Sequence, residues 1–109
     1  MKRHGFVIRA NPETLEAYKR IHIKIWPEIE QAIREAGITN YSIYYKDGFL
    51  FAYYEYTGPE AEYEARLAQM ANAPRMREWW DMTETMQVPL ETRKEGEWWA
   101  SMEEVFHQD

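Results

Sequence analysis

The sequence predicts an α+β fold, a ferredoxin-like βαββαβ antiparallel sheet with helices on one face. Three observations predict it. Alternating apolar segments and segments of helical period follow one another in the order β-α-β-β-α-β. Asp47-Gly48, a hairpin signal, separates two runs rich in Tyr, Ile and Phe. The chain has 109 residues, 45% of them hydrophobic, with five Gly and five Pro, which suits one domain (residues 1–109) needing neither metal nor disulfide staples.

Arg3 to Ala10 alternates, with Phe6 and Ile8 on one face and Val7 on the other, and reads as a strand. Asn11-Pro12-Glu13 ends it and starts a helix: Asn11 can cap, Pro12 suits the first helical position and Glu13 favours the positive end of the dipole. Leu15, Tyr18, His22, Ile25 and Ile29 recur at three- and four-residue spacing on one face. Pro27 interrupts them, so the sequence predicts a helix to about His22, a bend through Ile23–Trp26, and a second helix from Pro27 to Ala36, stopped by Gly37. Asn40–Lys46 and Phe49–Tyr56 read as a hairpin, and Thr57-Gly58-Pro59 breaks its second strand. Pro59–Ala71 is helix-forming, with Tyr63, Leu67 and Met70 on one stripe. A further helix starts after Asn72-Ala73-Pro74 and carries Met76, Trp79, Trp80, Thr83 and Met86. Gln87–Gly96 reads as an extended excursion, and Trp98–His107 as a closing strand.

In Phe49–Tyr56 one face presents Phe49, Phe51 and Tyr53 and the other Leu50, Ala52 and Tyr54. A sheet with one wet face alternates apolar with polar residues, and this strand does not. Helices cover one side only, so the other calls for a second sheet, most simply that of an identical chain in a two-fold homodimer.

Composition narrows the function. A net charge of −6 with no Lys/Arg cluster disfavours nucleic acid. No stretch approaches the roughly 20 apolar residues of a membrane helix, and the first residues lack a signal peptide's apolar core, so a cytoplasmic setting is expected. The absence of cysteine removes thiol nucleophiles and Cys-ligated metals. His4, His22 and His107 have no metal-ligand spacing, and there is neither a phosphate-binding glycine loop nor a nucleophile elbow, so neither metal nor cofactor is expected. The surplus is aromatic: five Trp and eight Tyr.

Tyr18 and His22 lie four apart and project from the same helix face. A lone histidine there serves either packing or, because it alone titrates near neutrality unperturbed, acid–base chemistry. Trp79-Trp80 is an adjacent pair whose rings point about 100° apart, so one can enter the core while the other meets a ligand or partner. Tryptophan suits sugars, stacking on the C–H face of a pyranose while its N–H bonds a hydroxyl. Tyr41 is divided between sheet packing and a hydroxyl aimed into a cavity. Trp98-Trp99, next to a charged rim, reads as interface packing, and His4 and His107 as exposed residues near the termini. From the residues alone, this is a Tyr/His/Trp-lined pocket able to bind a neutral polyhydroxy compound and move protons.

Phe6-Val7 with Asn11-Pro12, Tyr18-x-x-x-His22, Ile25-Trp26-Pro27-Glu28, Asn40-Tyr41-Ser42-Ile43-Tyr44, Arg77-Glu78-Trp79-Trp80 and Glu103-Glu104-Val105-Phe106 form an ordered set. Taken together, they resemble the L-rhamnose mutarotase family over essentially the whole chain. The resemblance implies a dimeric ferredoxin-like α+β barrel that interconverts the α and β anomers of L-rhamnose or a related aldose. It implies His22 as proton donor and Tyr18, Tyr41, Trp79 and Trp80 as sugar-binding residues. The general base stays open between a carboxylate, a tyrosine and water. A cofactor-free monooxygenase of the same dimeric fold and a non-catalytic sugar-sensing dimer are the competing readings. The hairpin at Lys46-Asp47-Gly48 and the stretch Gln87–Trp99 differ from the enterobacterial members and bear on the rim of the pocket.

Overall fold

In the computed structural model, which describes residues 1–109, β1 (Lys2–Ala10) lies at the middle of the sheet. β3 (Phe49–Tyr56) pairs with it antiparallel on one side, and β2 (Ile38–Lys46) pairs antiparallel with β3. On the other side of β1 run two short strands, β4 (Gln87–Val88) and β5 (Ala100–Ser101), both antiparallel. The order β2-β3-β1-β4 is that of the expected βαββαβ fold. Asp47 (φ 51°) and Gly48 (φ 89°) are both left-handed, as the two central positions of the hairpin turn require.

The helices follow the proline punctuation. Asn11 does cap, but it caps a turn: its Oδ1 accepts the Glu13 N–H at 3.0 Å, and regular helix α1 spans Leu15–Ile21, three residues beyond Pro12. α2 spans Pro27–Glu35 with Pro27 in its first turn, after Trp26 in extended backbone (ψ 137°), the conformation proline imposes on the residue before it. Gly37 then takes φ 83° beyond the helix end. A 3₁₀ turn at Glu60–Glu62 leads into α3 (Tyr63–Ala71), and α4 spans Met76–Glu84. Arg75, left-handed at φ 65°, holds its guanidinium 3.9 Å from the centre of the Trp26 ring and so ties the start of α4 to the start of α2.

Along β3, Leu50, Ala52, Tyr54 and Tyr56 are buried under the helices, and the opposite face carries Phe49, the exposed Phe51, and Tyr53. The core falls into three groups. Ile8, Ala10 and Leu50 of the sheet pack with Tyr18; Ile29 and Ala32 of α2 pack with Met76 and Trp79 of α4; Ala36 and Ile38 pack with Tyr54.

β2 carries one bulge. Thr39 faces Glu55 and Ser42 faces Tyr53, so three steps of β2 match two of β3. Asn40 supplies the left-handed residue at φ 48°, and its Nδ2 donates to Glu55 Oε1 at 2.7 Å. The extra residue inverts the alternation beyond it. Ile38 points to the helix side before the bulge, and Tyr41, Ile43 and Tyr45 do so after it.

Three expectations are corrected. The strand expected over Trp98–His107 is only Ala100–Ser101, and the excursion expected over Gln87–Gly96 begins with a strand residue pair, Gln87–Val88. Val88 faces Arg9 and Ala100 faces Val7, so twelve steps of the edge chain span two steps of β1. The residues between leave the sheet as a loop, and past Ser101 the tail stays beside β1 through the Met102 N–H, which donates to the Gly5 carbonyl at 2.9 Å, and then through the paired side chains of Arg3 and Glu104 (3.0 and 3.1 Å). His4, expected exposed, is half-buried instead: it stacks on Tyr63 (4.8 Å, 6°) because β1 runs through the centre of the sheet, and its Nε2 is buried without a hydrogen-bond partner. His107 is exposed as expected, 2.8 Å from Asp109.

Candidate active site

A cavity of about 580 Å³ opens between the helix-covered face of the sheet and helices α1, α2 and α4, and adjoins a second lobe of about 290 Å³. The larger lobe alone has the size of a small-molecule site. Tyr18, His22, Tyr41 and Trp79 line both lobes, and Trp80 lines the second. All five residues singled out in the sequence therefore meet at one cavity.

Each is placed by its element. His22 ends α1, and its Nδ1 lies 2.7 Å from the Tyr18 carbonyl oxygen. A carbonyl only accepts, so Nδ1 carries the proton and Nε2 is left without a partner in the chain. The imidazole stands between the Tyr18 ring (centroids 4.4 Å apart) and the Trp79 ring (5.4 Å, edge-on). It thus joins the two core groups that border the cavity. Burial lowers the His22 pKa, and the bond to the Tyr18 carbonyl opposes the shift. Burial makes that imidazolium a stronger acid than free histidine.

Tyr18 is buried, and its hydroxyl oxygen lies 3.1 Å from Gln87 Nε2. Burial raises its pKa and the Gln87 amide opposes the rise, so Tyr18 is a neutral phenol near pH 7. Tyr41 reaches the cavity only because of the bulge at Asn40, and its ring meets Tyr54 edge-on at 5.4 Å. Although 42% of Tyr41 is accessible, its hydroxyl is desolvated: burial first and the Tyr18 phenol second push it up to about 12. The tryptophan pair divides as its spacing predicts. Trp79 is 7% exposed, packed on Ile29 and Met76 and edge-on to Trp26 at 5.2 Å, and offers the cavity one side of a core ring. Trp80 is half-buried, with the Arg77 guanidinium 5.6 Å from its ring centre.

Gln87, Trp98 and Trp99 also line the second lobe, and none of them was among the expected site residues. The edge loop folds back and brings both Trp98 and Trp99, read from the sequence as interface packing, to the cavity wall. Gln87 carried no signal in the sequence, because only the split of the edge strand sets it under Tyr18. Glu30 and Glu84 are the carboxylates on the wall, one in each lobe. The arrangement offers one imidazole, two protonated phenols and aromatic faces, a set suited to holding a neutral hydroxylated ring and moving protons at its oxygens.

Comparison with known proteins agrees with this chemistry. The family model for L-rhamnose mutarotase matches residues 3–108. An L-rhamnose mutarotase of Shigella flexneri is 37% identical over 110 residues, covering 98% of both chains. One of Formosa agariphila is 30% identical over 112 residues, covering 100% of both. Among solved structures, an L-rhamnose mutarotase from Formosa agariphila superposes with a TM-score of 0.71 at 26% identity over 100% of each chain. The tetracenomycin F2 cyclase of Streptomyces glaucescens, a type-II polyketide cyclase, superposes with a TM-score of 0.72 over 100% of this chain and 98% of its own; at 15% identity it shows a shared fold alone. With its family model matched over nearly its full length, this chain belongs to the L-rhamnose mutarotase family.

Proposed function

We propose that this protein interconverts the α and β anomers of L-rhamnose by acid–base-catalysed ring opening and reclosure, with His22 as the proton donor. The observation that carries the reading is the position of His22: one nitrogen engaged on the Tyr18 carbonyl, the other free, in the wall of a sugar-sized cavity of a mutarotase-family chain.

Mutarotation needs a proton delivered to the ring oxygen while the anomeric hydroxyl loses one. The C1–O5 bond then breaks to give the free aldehyde, the carbonyl turns about the C1–C2 bond, and the ring recloses on its other face. With Nδ1 engaged, the proton travels on His22 Nε2. An ether oxygen is a weak base, and an imidazolium made more acidic by burial is matched to it. Neutral His22 takes the same proton back on reclosure, so the enzyme returns to its starting state. Tyr18 and Tyr41 hold sugar oxygens, and Trp79 or Trp80 lies against the apolar face of the ring. The anomeric proton leaves to water or to a wall carboxylate, Glu30 or Glu84, and returns from there to the aldehyde oxygen as the ring recloses.

The proposal includes a homodimer. Phe49, Phe51 and Val7, with Tyr44 at 68% exposure, make the sheet face opposite the helices apolar, and a second copy's sheet is its natural cover. NMR exchange spectroscopy of L-rhamnose with catalytic protein tests the activity: anomer exchange above the spontaneous rate is expected. Sugar binding without faster exchange would make the chain a sensor, and no sugar response at all would remove the reading.

A further inference from the structure

The Tyr18 hydroxyl does not choose its own hydrogen-bond polarity. Trp98 Nε1 lies 2.8 Å from Gln87 Oε1, and Gln87 Nε2 lies 3.1 Å from the Tyr18 oxygen. An indole N–H can only donate, so the Gln87 atom facing it must be the carbonyl oxygen. This settles the orientation of the amide, and the NH₂ group faces Tyr18. That group can only donate in turn, so the phenol oxygen accepts and its own proton is directed elsewhere.

We propose that Gln87 and Trp98 are positioning residues that fix Tyr18 as a hydrogen-bond donor toward the sugar. The inference rests on the mutarotase reading and deepens it. A fixed donor seeks an oxygen with a free lone pair. At the reacting centre, that is the ring oxygen or the anomeric oxygen as it becomes the aldehyde oxygen. No proton is transferred; Tyr18 keeps its proton and places a partial positive charge where negative charge develops.

The rest of the chain is built to hold this relay. Gln87 is 8% exposed at the start of β4, anchored by the ladder to Ala10. Trp98 reaches it because the edge loop is clasped at its end: Glu97 accepts the Lys94 N–H at 2.9 Å and the Ser101 hydroxyl at 2.7 Å. The two halves of the relay therefore come from the two ends of the excursion that divides the edge strand.

The test is Gln87→Glu, which keeps size and shape but reverses one bond. The introduced carboxylate accepts from the Trp98 N–H and from the Tyr18 O–H, turning the phenol proton away from the sugar. In folded protein, anomer exchange should fall about tenfold, the value of one neutral hydrogen bond lost in the transition state. The ratio of variant to wild-type rate should recover as pH falls and the introduced carboxyl takes up a proton. In a Tyr18→Phe background the same change should cost nothing further. Titration of ¹³Cζ-labelled tyrosine needs no sugar, and Tyr18 should ionise at higher pH in the variant. Trp98→Phe removes only the N–H that orients the amide and should lose part of the rate in the same direction, so it decides the matter if Gln87→Glu does not fold. A folded Gln87→Glu protein with wild-type exchange and an unmoved Tyr18 titration would overturn the relay. So would full additivity with Tyr18→Phe. A wild-type chain without exchange would remove the mutarotase reading while the tyrosine titration still judged the relay.

Discussion

Replacing His22 with Asn separates the chemistry of this position from its packing. His22 caps the C-terminal end of α1, with Nδ1 on the carbonyl four residues back. The chain shows elsewhere what Asn does in that place: Asn72 caps α3, and its Nδ2 donates to the Ala68 carbonyl at 3.1 Å. His22→Asn can therefore keep the cap bond and lose only the ring contacts to Tyr18 and Trp79 and the titrating nitrogen. Taken at the value of aromatic pairs, two ring contacts contribute about 1–3 kcal/mol. In a chain of this size that lowers Tm by about 5–15 °C. A positioned acid contributes about 10²–10⁴-fold in rate, equivalent to about 2.7–5.4 kcal/mol of barrier. At a temperature where both proteins are folded, exchange should fall by that factor while sugar affinity survives, because a proton donor acts mainly on the transition state.

The pH dependence has a definite sign. The His22 pKa is lowered from 6.5, and the donor is the charged form, so wild-type exchange above background should rise as pH falls through that lowered value. His22→Asn should show no such rise. NMR exchange spectroscopy with parallel thermal melts reads both quantities. A folded His22→Asn protein within about threefold of the wild-type rate would refute the assignment. A wild-type rate that dropped on acidification through this range would make neutral Nε2 the working form, a base rather than a donor.

Four further outcomes follow from the same geometry. Trp79→Ala should cost about 3–5 kcal/mol, because its ring is core, whereas Trp80→Ala should change stability little and weaken L-rhamnose binding in a fluorescence titration; equal effects on both would contradict the division of the pair. Light scattering at micromolar concentration should give twice the 13.2 kDa of one chain, and a monomer would count against the apolar outer face as an interface. The His4 pKa is lowered in the fold from 6.5, by burial first and Lys2 second, so the unfolded chain binds that proton more tightly; stability present above pH 6.5 should fall as pH drops through it, and His4→Phe should blunt the loss in melts between pH 7.5 and 5.5. Asn40→Val, forced to φ 48°, should cost about 1–2 kcal/mol and lower sugar affinity through Tyr41, while Asn40→Gly should keep the bulge; equal melts for the two would show that the left-handed residue is not what holds it.

The parts legible in the sequence are those fixed by neighbours along the chain. Asp47-Gly48 and the bounds of β3 were readable because turn chemistry and strand composition are local, and Pro27 because its ring restricts Trp26 and itself whatever surrounds them. Tyr18 with His22 was readable because helical spacing alone puts them on one face. What was not legible depends on distant pairing. A bulge is a property of two strands, and nothing around Asn40 states that Thr39 and Ser42 will face residues only two apart. The edge strand failed for the same reason: Gln87–Val88 and Ala100–Ser101 are too short to signal themselves, and each is a strand only because β1 has open edge positions there. Gln87 became a site residue through that pairing, and Trp98 through the loop that returns to it.

The two departures from a regular ladder are what bring Tyr41 and Gln87 to the cavity. A regular β2 would send Tyr41 to the outer face with Ser42 turned in, giving the site a short hydroxyl where it now has a phenol. A regular edge strand would need no excursion, and no indole would then reach back to orient Gln87. On the helix side no irregularity is needed, since the four-residue spacing of Tyr18 and His22 and the adjacency of Trp79 and Trp80 deliver their rings directly. In the proposed mechanism the helices thus bring the proton carrier and the stacking faces, and the interruptions of the sheet set Tyr41 and orient Tyr18 around them. Sugar recognition in this chain should accordingly respond to changes in the edge loop, at Glu97 or Ser101, that leave His22 and its proton untouched.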